Sequence, residues 1–414
     1  MVHLYAAIAI LILLYTLFSR GLAGIGITMP MVFLAVGVVA ALQVPALSHD
    51  TGSMFHRLAE LTLALLLFAD ATELTRGAAR RIQGLAGRML LIGLPVAIVL
   101  GLAVNLVLLP DWPFWEACVL AALLAPTDAA LGKPIMGDPK IPETLRDTIN
   151  AESGLNDGLA FPFVVFFAFL AVGEDTDAPN SLVLFILAQV GIGLAVGVAV
   201  GILGGWLRRV ATARNGMDPA LDGVMTLALV GSMFFLAEIL GGNSFVAVFA
   251  GGFAFANAAG GKVIAIRDFL EEDGQFLAIL SFLLIGAYLV PLALTHADLA
   301  TLGVVFLSIL VVRPVAIWLS LMGTSTRPNE RLFLGWFGPR GLATALFAIF
   351  VVLDFDELAK GPEILVVATS AVLVSAYVHG LTARWAAQIF RLGPVNGTAP
   401  EPPAVTDPDG RPGE

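Results

Sequence analysis

Asn150–Gly158 reads NAESGLNDG and stands directly ahead of Leu159–Val172, LAFPFVVFFAFLAV. The first stretch holds two carboxylates, Glu152 and Asp157, and two carboxamides, Asn150 and Asn156. The second holds nothing polar. A charge inside a bilayer costs about 2.5 kcal/mol or more. Ionisable groups at the head of such a run therefore need partners, or a use.

The surrounding chain makes the bilayer the relevant solvent. Of 414 residues 58% are hydrophobic and 13% charged, with mean hydropathy +0.91. Apolar runs recur from end to end, at about 3–18, 23–42, 58–75, 89–109, 115–132, 144–172, 181–207, 220–240, 243–258, 271–293, 298–322, 331–353 and 362–388. They are continuous rather than alternating, which predicts an all-α polytopic membrane protein of thirteen spans and excludes a β-barrel. The first run has no basic residue before it, unlike a signal peptide. If alternate loops are placed inside, beginning with the first, they and the tail collect 18 of the 22 Lys and Arg residues. The outer loops keep only Arg57 and Lys360. That asymmetry predicts an N-terminus outside and a C-terminus in the cytoplasm, in a cell (inner) membrane.

Other features exclude function classes. Cys118 is the only cysteine, so neither a disulfide nor a cysteine metal site is expected. No nucleotide motif or soluble domain is present, and no cofactor or nucleic-acid partner is expected. The net charge of −10 reflects acidic outer loops and a Pro-, Gly- and acid-rich tail over 391–414, expected to be disordered. Residues 1–390 are expected to form the membrane domain.

Helical spacing puts Ser153 and Asp157 on one stripe of the sixth segment and Glu152 and Asn156 on the next. The fifth segment carries Pro126-Thr127-Asp128 near its middle, and the twelfth carries Gly338-Pro339-Arg340-Gly341. Proline removes a backbone hydrogen bond, and a helix broken within a membrane is tolerated where it lines a cavity or is buried in protein. The two breaks occupy matching places in the two halves, the sequence signature of a transporter built from inverted repeats. Freed carbonyls with Thr127 and Asp128 make a hard-oxygen set suited to an alkali cation. Arg313, alone in VVRPVA of the eleventh segment, needs a carboxylate partner. Three carboxylates (Asp128, Glu152, Asp157) against two guanidiniums (Arg313, Arg340) leave one negative charge. One proton or one monovalent cation would neutralise it.

APTDAALG, ESGLNDG, the Arg of VVRPVA and GPRG resemble, in order and spacing, the monovalent cation:proton antiporter-1 family, which includes NhaP-type sodium/proton antiporters. The resemblance covers essentially the whole chain. It implies a six-helix core domain with two crossed broken helices (helices at about 89–172 and 298–388), beside a dimerisation domain (about 3–75 and 181–293) that makes a homodimer. It implies that Asp157 binds cation and proton in turn, and that Thr127, Asp128 and Ser153 complete the cation's oxygen cage. Glu152 would pair with Arg313, braced by Asn156, and Arg340 would hold the crossing. The implied activity is electroneutral exchange of Na+, or Li+, for H+ by alternating access. One departure is that Ala129 follows the Thr-Asp pair where many members have proline; here Pro126 precedes it.

Rival readings are a K+/H+ antiporter of the same fold and, more distantly, a passive cation channel. An intramembrane protease lacks its G-x-G-D, G-x-S-G or H-E-x-x-H contexts, so no enzyme is expected, and a non-transporting sensor would not need an unbalanced carboxylate. Asp70 and Glu73 close the third segment; they either draw cations to a cytoplasmic funnel or pair with Arg76 and Arg80.

Overall fold

A computed structural model describes the chain apart from residue 1 and residues 44–48, 74–83, 129–130, 133–134, 136–137, 174–178, 261–274 and 393–414. Ala129, Arg76, Arg80, the side chain of Glu73 and nearly all of the expected tail lie outside the described residues. The regular structure among the described residues is helical, and they form no strand.

The helices are α1 (Val2–Gly24), α2 (Met29–Gln43), α3 (His49–Glu73), α4 (Leu85–Leu108), α5 (Phe114–Leu123), α6 (Glu143–Gly173) and α7 (Pro179–Ala213). They continue with α8 (Asp222–Ile239), α9 (Ser244–Ala258), α10 (Gln275–His296), α11 (Leu299–Ser320), α12 (Pro328–Trp336), α13 (Leu342–Asp354) and α14 (Gly361–Ala383). Each expected apolar segment is met by a helix, and the twelfth by two. Eight of the described helices are long and apolar enough to cross a membrane unaided. Four more apolar helices, α2, α5, α9 and α13, are shorter, and the fifth and twelfth segments are interrupted.

Backbone geometry follows particular residues. Pro95, Pro291 and Pro314 each follow a π-turn, at Met89–Gly93, Ile285–Leu289 and Ser308–Val312. Proline cannot donate to the preceding turn and clashes with it, and a wider turn accommodates both faults. Two of these three bulged helices, α4 and α11, directly precede the two interrupted segments, so the halves repeat a bulged helix followed by a broken one.

Small residues set the closest helix contact. Gly193, Gly197, Gly201 and Gly205 fall at four-residue steps along α7. A Cβ on each would strike the α9 backbone at Asn243, Ala247, Gly251 and Phe255, also four apart. The two backbones approach because α7 presents no side chain there. The helices α2 and α10 repeat this reciprocally, with Gly37 against Leu283 and Gly286 against Leu34. A second group packs α5 on α4 and α6, α13 on α14, and α12 on α11. Between the groups stands α3, touching α9 on one side and α6 and α13 on the other.

Candidate functional site

The interrupted segments meet. After α5 ends, residues 124–128 are non-helical, and residues 337–341 separate α12 from α13. Each break exposes backbone groups that a continuous helix would pair. Each answers the other. Arg340 donates to the carbonyls of Ala125 (2.6 Å) and Pro126 (2.9 Å), at the negative end of α5. The Asp128 carboxylate accepts the Leu342 N–H (2.6 Å), at the positive end of α13. The Asp128 N–H donates to the Pro339 carbonyl (2.8 Å). A cation thus faces a C-terminal dipole and an anion an N-terminal one, both favourable. The glycines of GPRG make room: a Cβ on Gly338 would overlap the Arg313 guanidinium, and one on Gly341 the Asp128 carboxylate.

Beside the crossing lies a closed ionic cluster. Arg313 binds Glu152 bidentately, at 3.1 and 3.0 Å, with 4% and 3% of the two residues exposed. The Asn156 carboxamide donates to Glu152 at 3.3 Å and to the Thr127 hydroxyl. That hydroxyl lies 3.2 Å from Glu152 Oε2 and 3.3 Å from Ser153 Oγ. Both oxygens of Glu152 are therefore engaged. The fold thus brings Glu152, Asn156, Arg313 and Arg340 together at the crossing.

Asp157 differs. It is 7% exposed, yet its Oδ1 is buried with no hydrogen-bond partner among the described residues. The other carboxylates near enough to act on its charge are Asp70, Asp128 and Glu152. Toward the Gly173 end of α6 the chain beyond Asp157 is sealed by rings: Phe161 lies 6.1, 5.3 and 5.5 Å, centroid to centroid, from Phe245, Phe347 and Phe350. A Cβ on Gly158 would meet the Phe249 ring, so glycine there lets α9 close over the site. Thr127, Asp128, Ser153 and Asp157 thus converge around one polar place beside the crossing. Asp70 on α3 joins their field, which its position at a segment end did not reveal.

Two contributors went unread in the sequence. Ser308, in the π-turn of α11, offers its hydroxyl to Arg340 at 3.3 Å. Glu116, in the first turn of α5, accepts the N–H groups of Ala359 (2.9 Å) and Lys360 (2.7 Å) between α13 and α14. A lone carboxylate opening an apolar run was the available signal for Glu116; an ordinary serine in an apolar helix gave none for Ser308.

Two interrupted helices meeting over a buried ionic cluster form the arrangement of inverted-repeat membrane transporters. A model of the family described as "Sodium/hydrogen exchanger, transmembrane" matches residues 7–389, and the chain belongs to that family. A K(+)/H(+) antiporter NhaP2 of Shewanella oneidensis is 29% identical over 389 residues, covering 93% of this chain and 66% of its own length. A K(+)/H(+) antiporter NhaP of Alkalimonas amylolytica is 28% identical over 333 residues, covering 79% of this chain and 56% of its own. A probable Na(+)/H(+) antiporter of Schizosaccharomyces pombe is 26% identical over 343 residues, covering 78% and 45%. The chain therefore spans just under two thirds, or less, of these relatives. Among solved structures, the sodium proton antiporter MjNhaP1 of Methanocaldococcus jannaschii shares the fold, with TM-score 0.70, 20% identity and coverage of 94% of this chain and 98% of that one.

Proposed function

We propose that the chain is a secondary antiporter exchanging a monovalent cation, Na+ in the first instance, for H+ at Asp157. The observation that carries this reading is the buried Asp157 Oδ1 without a partner, set beside a Glu152–Arg313 pair whose carboxylate is fully engaged. A carboxylate in a low-dielectric place needs a neutralising ion, and a proton or a small cation serves equally. Thr127, Asp128 and Ser153 supply further oxygens for the cation. Asp70 draws cations toward the site. The helices at 89–172 and 298–388 move as a core against those at 3–75 and 181–293, which also pair two copies. The N-terminus faces outward in the cell membrane.

Stoichiometry follows from which groups can change charge. Asn156 does not ionise, and Arg313 and Arg340 stay charged. Asp128 is occupied with the α13 N-terminus. One cation one way and one proton the other moves no net charge, so exchange is electroneutral. K+ is the second reading, favoured by the K(+)/H(+) antiporter names of the Shewanella and Alkalimonas relatives.

The test is the purified chain in proteoliposomes with an imposed pH gradient, offered Na+, Li+ and K+ in turn. Dissipation of the gradient by Na+ or Li+ supports the first reading, and by K+ alone the second. Cation uptake with no coupled proton movement means a channel and overturns both. Repeating the Na+ assay with the potential clamped by valinomycin and K+ tests stoichiometry: a rate that shifts with potential refutes 1:1 exchange and makes Asp128 a second proton carrier.

A further inference from the structure

The second interruption removes one identifiable hydrogen bond. In a continuous helix the Arg340 N–H would donate to the Trp336 carbonyl, four residues back. Residues 337–341 are non-helical, and both groups turn to α14 instead. The Arg340 N–H donates to Ser375 Oγ at 2.6 Å. Ser375 Oγ lies 3.0 Å from Nδ1 of His379, one turn further along α14. His379 Nε2 lies 2.9 Å from the Trp336 carbonyl oxygen, which also accepts the Gly338 N–H. Ser375 and His379 are both fully buried.

Proton bookkeeping gives this chain a direction. Ser375 Oγ already accepts from Arg340, so its own hydrogen is available to His379 Nδ1. A neutral imidazole then carries its proton on Nε2, aimed at the Trp336 carbonyl. The other tautomer would carry the proton on Nδ1, which also lies 3.0 Å from the Ser375 carbonyl oxygen, but would set the Nε2 lone pair against the Trp336 carbonyl oxygen and leave Nε2 unsatisfied. A serine and a histidine thus span the gap that one backbone hydrogen bond would have closed.

We propose that Ser375 and His379 are positioning residues of the transport site, a relay that replaces the hydrogen bond lost at the break. Through it α14 fixes where Arg340 leaves the α12 end, and so where its guanidinium meets the Ala125 and Pro126 carbonyls. Neither residue touches the transported ion. Their effect on transport rests on the antiport reading above; their coupling to each other does not.

The experiment compares His379→Phe, His379→Gln, Ser375→Ala and the His379→Phe/Ser375→Ala double variant with the wild type. Phe fills the ring's space without polar atoms. Gln keeps one acceptor for Ser375 and one donor for Trp336. In proteoliposomes, His379→Phe and Ser375→Ala should lower the maximal exchange rate about tenfold or more, as small misplacements of a reacting site do. His379→Gln should recover most of the rate, and the double variant should be no slower than His379→Phe. A Gln variant as slow as the Phe variant, or a Phe variant as fast as wild type, overturns the relay. A wild type that exchanges no cation for H+ overturns the antiport reading instead. Melting temperatures then decide the relay without transport: the double variant should melt no lower than His379→Phe, and additive losses overturn it. If His379→Phe does not fold, Ser375→Ala against His379→Gln carries the test, since only the hydroxyl deletion should slow exchange.

Discussion

Glu152 and Asp157 stand five residues apart on one helix, both carboxylates and both buried, in opposite surroundings. Glu152 takes two guanidinium N–H groups from Arg313, a carboxamide N–H from Asn156 and a hydroxyl contact from Thr127. Asp157 has an oxygen with no hydrogen-bond partner among the described residues. A carboxylate whose acceptor sites are filled by fixed donors is a permanent charge, and exchanging an ion on it would break a network. One with an open site binds what diffuses to it. The difference is built by neighbours, because burial and residue chemistry are nearly the same.

The strongest way to break this comparison is Asp157→Asn. The carboxamide keeps the shape but holds neither a proton nor a cation by charge. Exchange of Na+, Li+ or K+ in proteoliposomes should vanish while the melting temperature stays close to wild type. Robust antiport by the purified variant would remove Asp157 from the centre of the site.

Glu152→Gln should act the other way round. It strands the Arg313 guanidinium in the interior, at a cost of about 3–5 kcal/mol. Thermal melting in detergent should fall well below that of Asp157→Asn. Equal melting temperatures for the two would show that the ion pair carries no more of the fold than the open carboxylate does.

Much of this contrast was legible before any coordinates. A lone Arg in an apolar segment demanded a carboxylate, and the family resemblance pointed to Glu152. Pro126 and Gly338-Pro339 announced two breaks, because proline cannot continue the backbone ladder. Helical spacing set Ser153 with Asp157 and Glu152 with Asn156. The partners of the breaks were harder to read. Ser375 and His379 lie four apart on α14, among other polar residues such as Thr369 and Ser370, with nothing to say which backbone groups they serve. Hydrogen bonds to main chain leave no complementary residue type in the sequence, whereas an ion pair does. The same holds for Glu116, whose two donors are the N–H groups of Ala359 and Lys360. The α7 glycines at their four-residue spacing went unread in the sequence, and only the packing shows that α9 is what they admit.

Glu116 extends the comparison to a carboxylate held by backbone alone. Glu116→Gln keeps one carbonyl oxygen and turns an NH2 toward the other backbone N–H, donor against donor. A buried donor left unsatisfied costs about 1–3 kcal/mol. The melting temperature should drop by less than for Glu152→Gln, and exchange should persist. Loss of exchange at unchanged stability would mean that the tie between α5 and the α13–α14 turn also matters to transport.

The smallest effect belongs to a carboxylate outside the membrane-spanning segments. Asp298 is exposed and caps α11, its Oδ1 accepting the Thr301 N–H at 2.7 Å. That bond, with further hydrogen bonding to Thr301, holds its carboxyl below the ordinary value of 3.8. A carboxyl depressed in the folded state stabilises the fold above its unfolded value, and that contribution is lost as pH falls through the folded value. Asn caps a helix about as well as Asp, so Asp298→Asn gives up only the charge at the helix N-terminus, about 0.3–1 kcal/mol. At neutral pH the variant should melt slightly below wild type. As the pH falls from 3.8 through the lower folded value the Asp becomes neutral too, and the two melting curves should converge. A gap that stays constant across this range would mean that the charge of Asp298 contributes nothing and that its hydrogen bond to Thr301 is the whole of the cap.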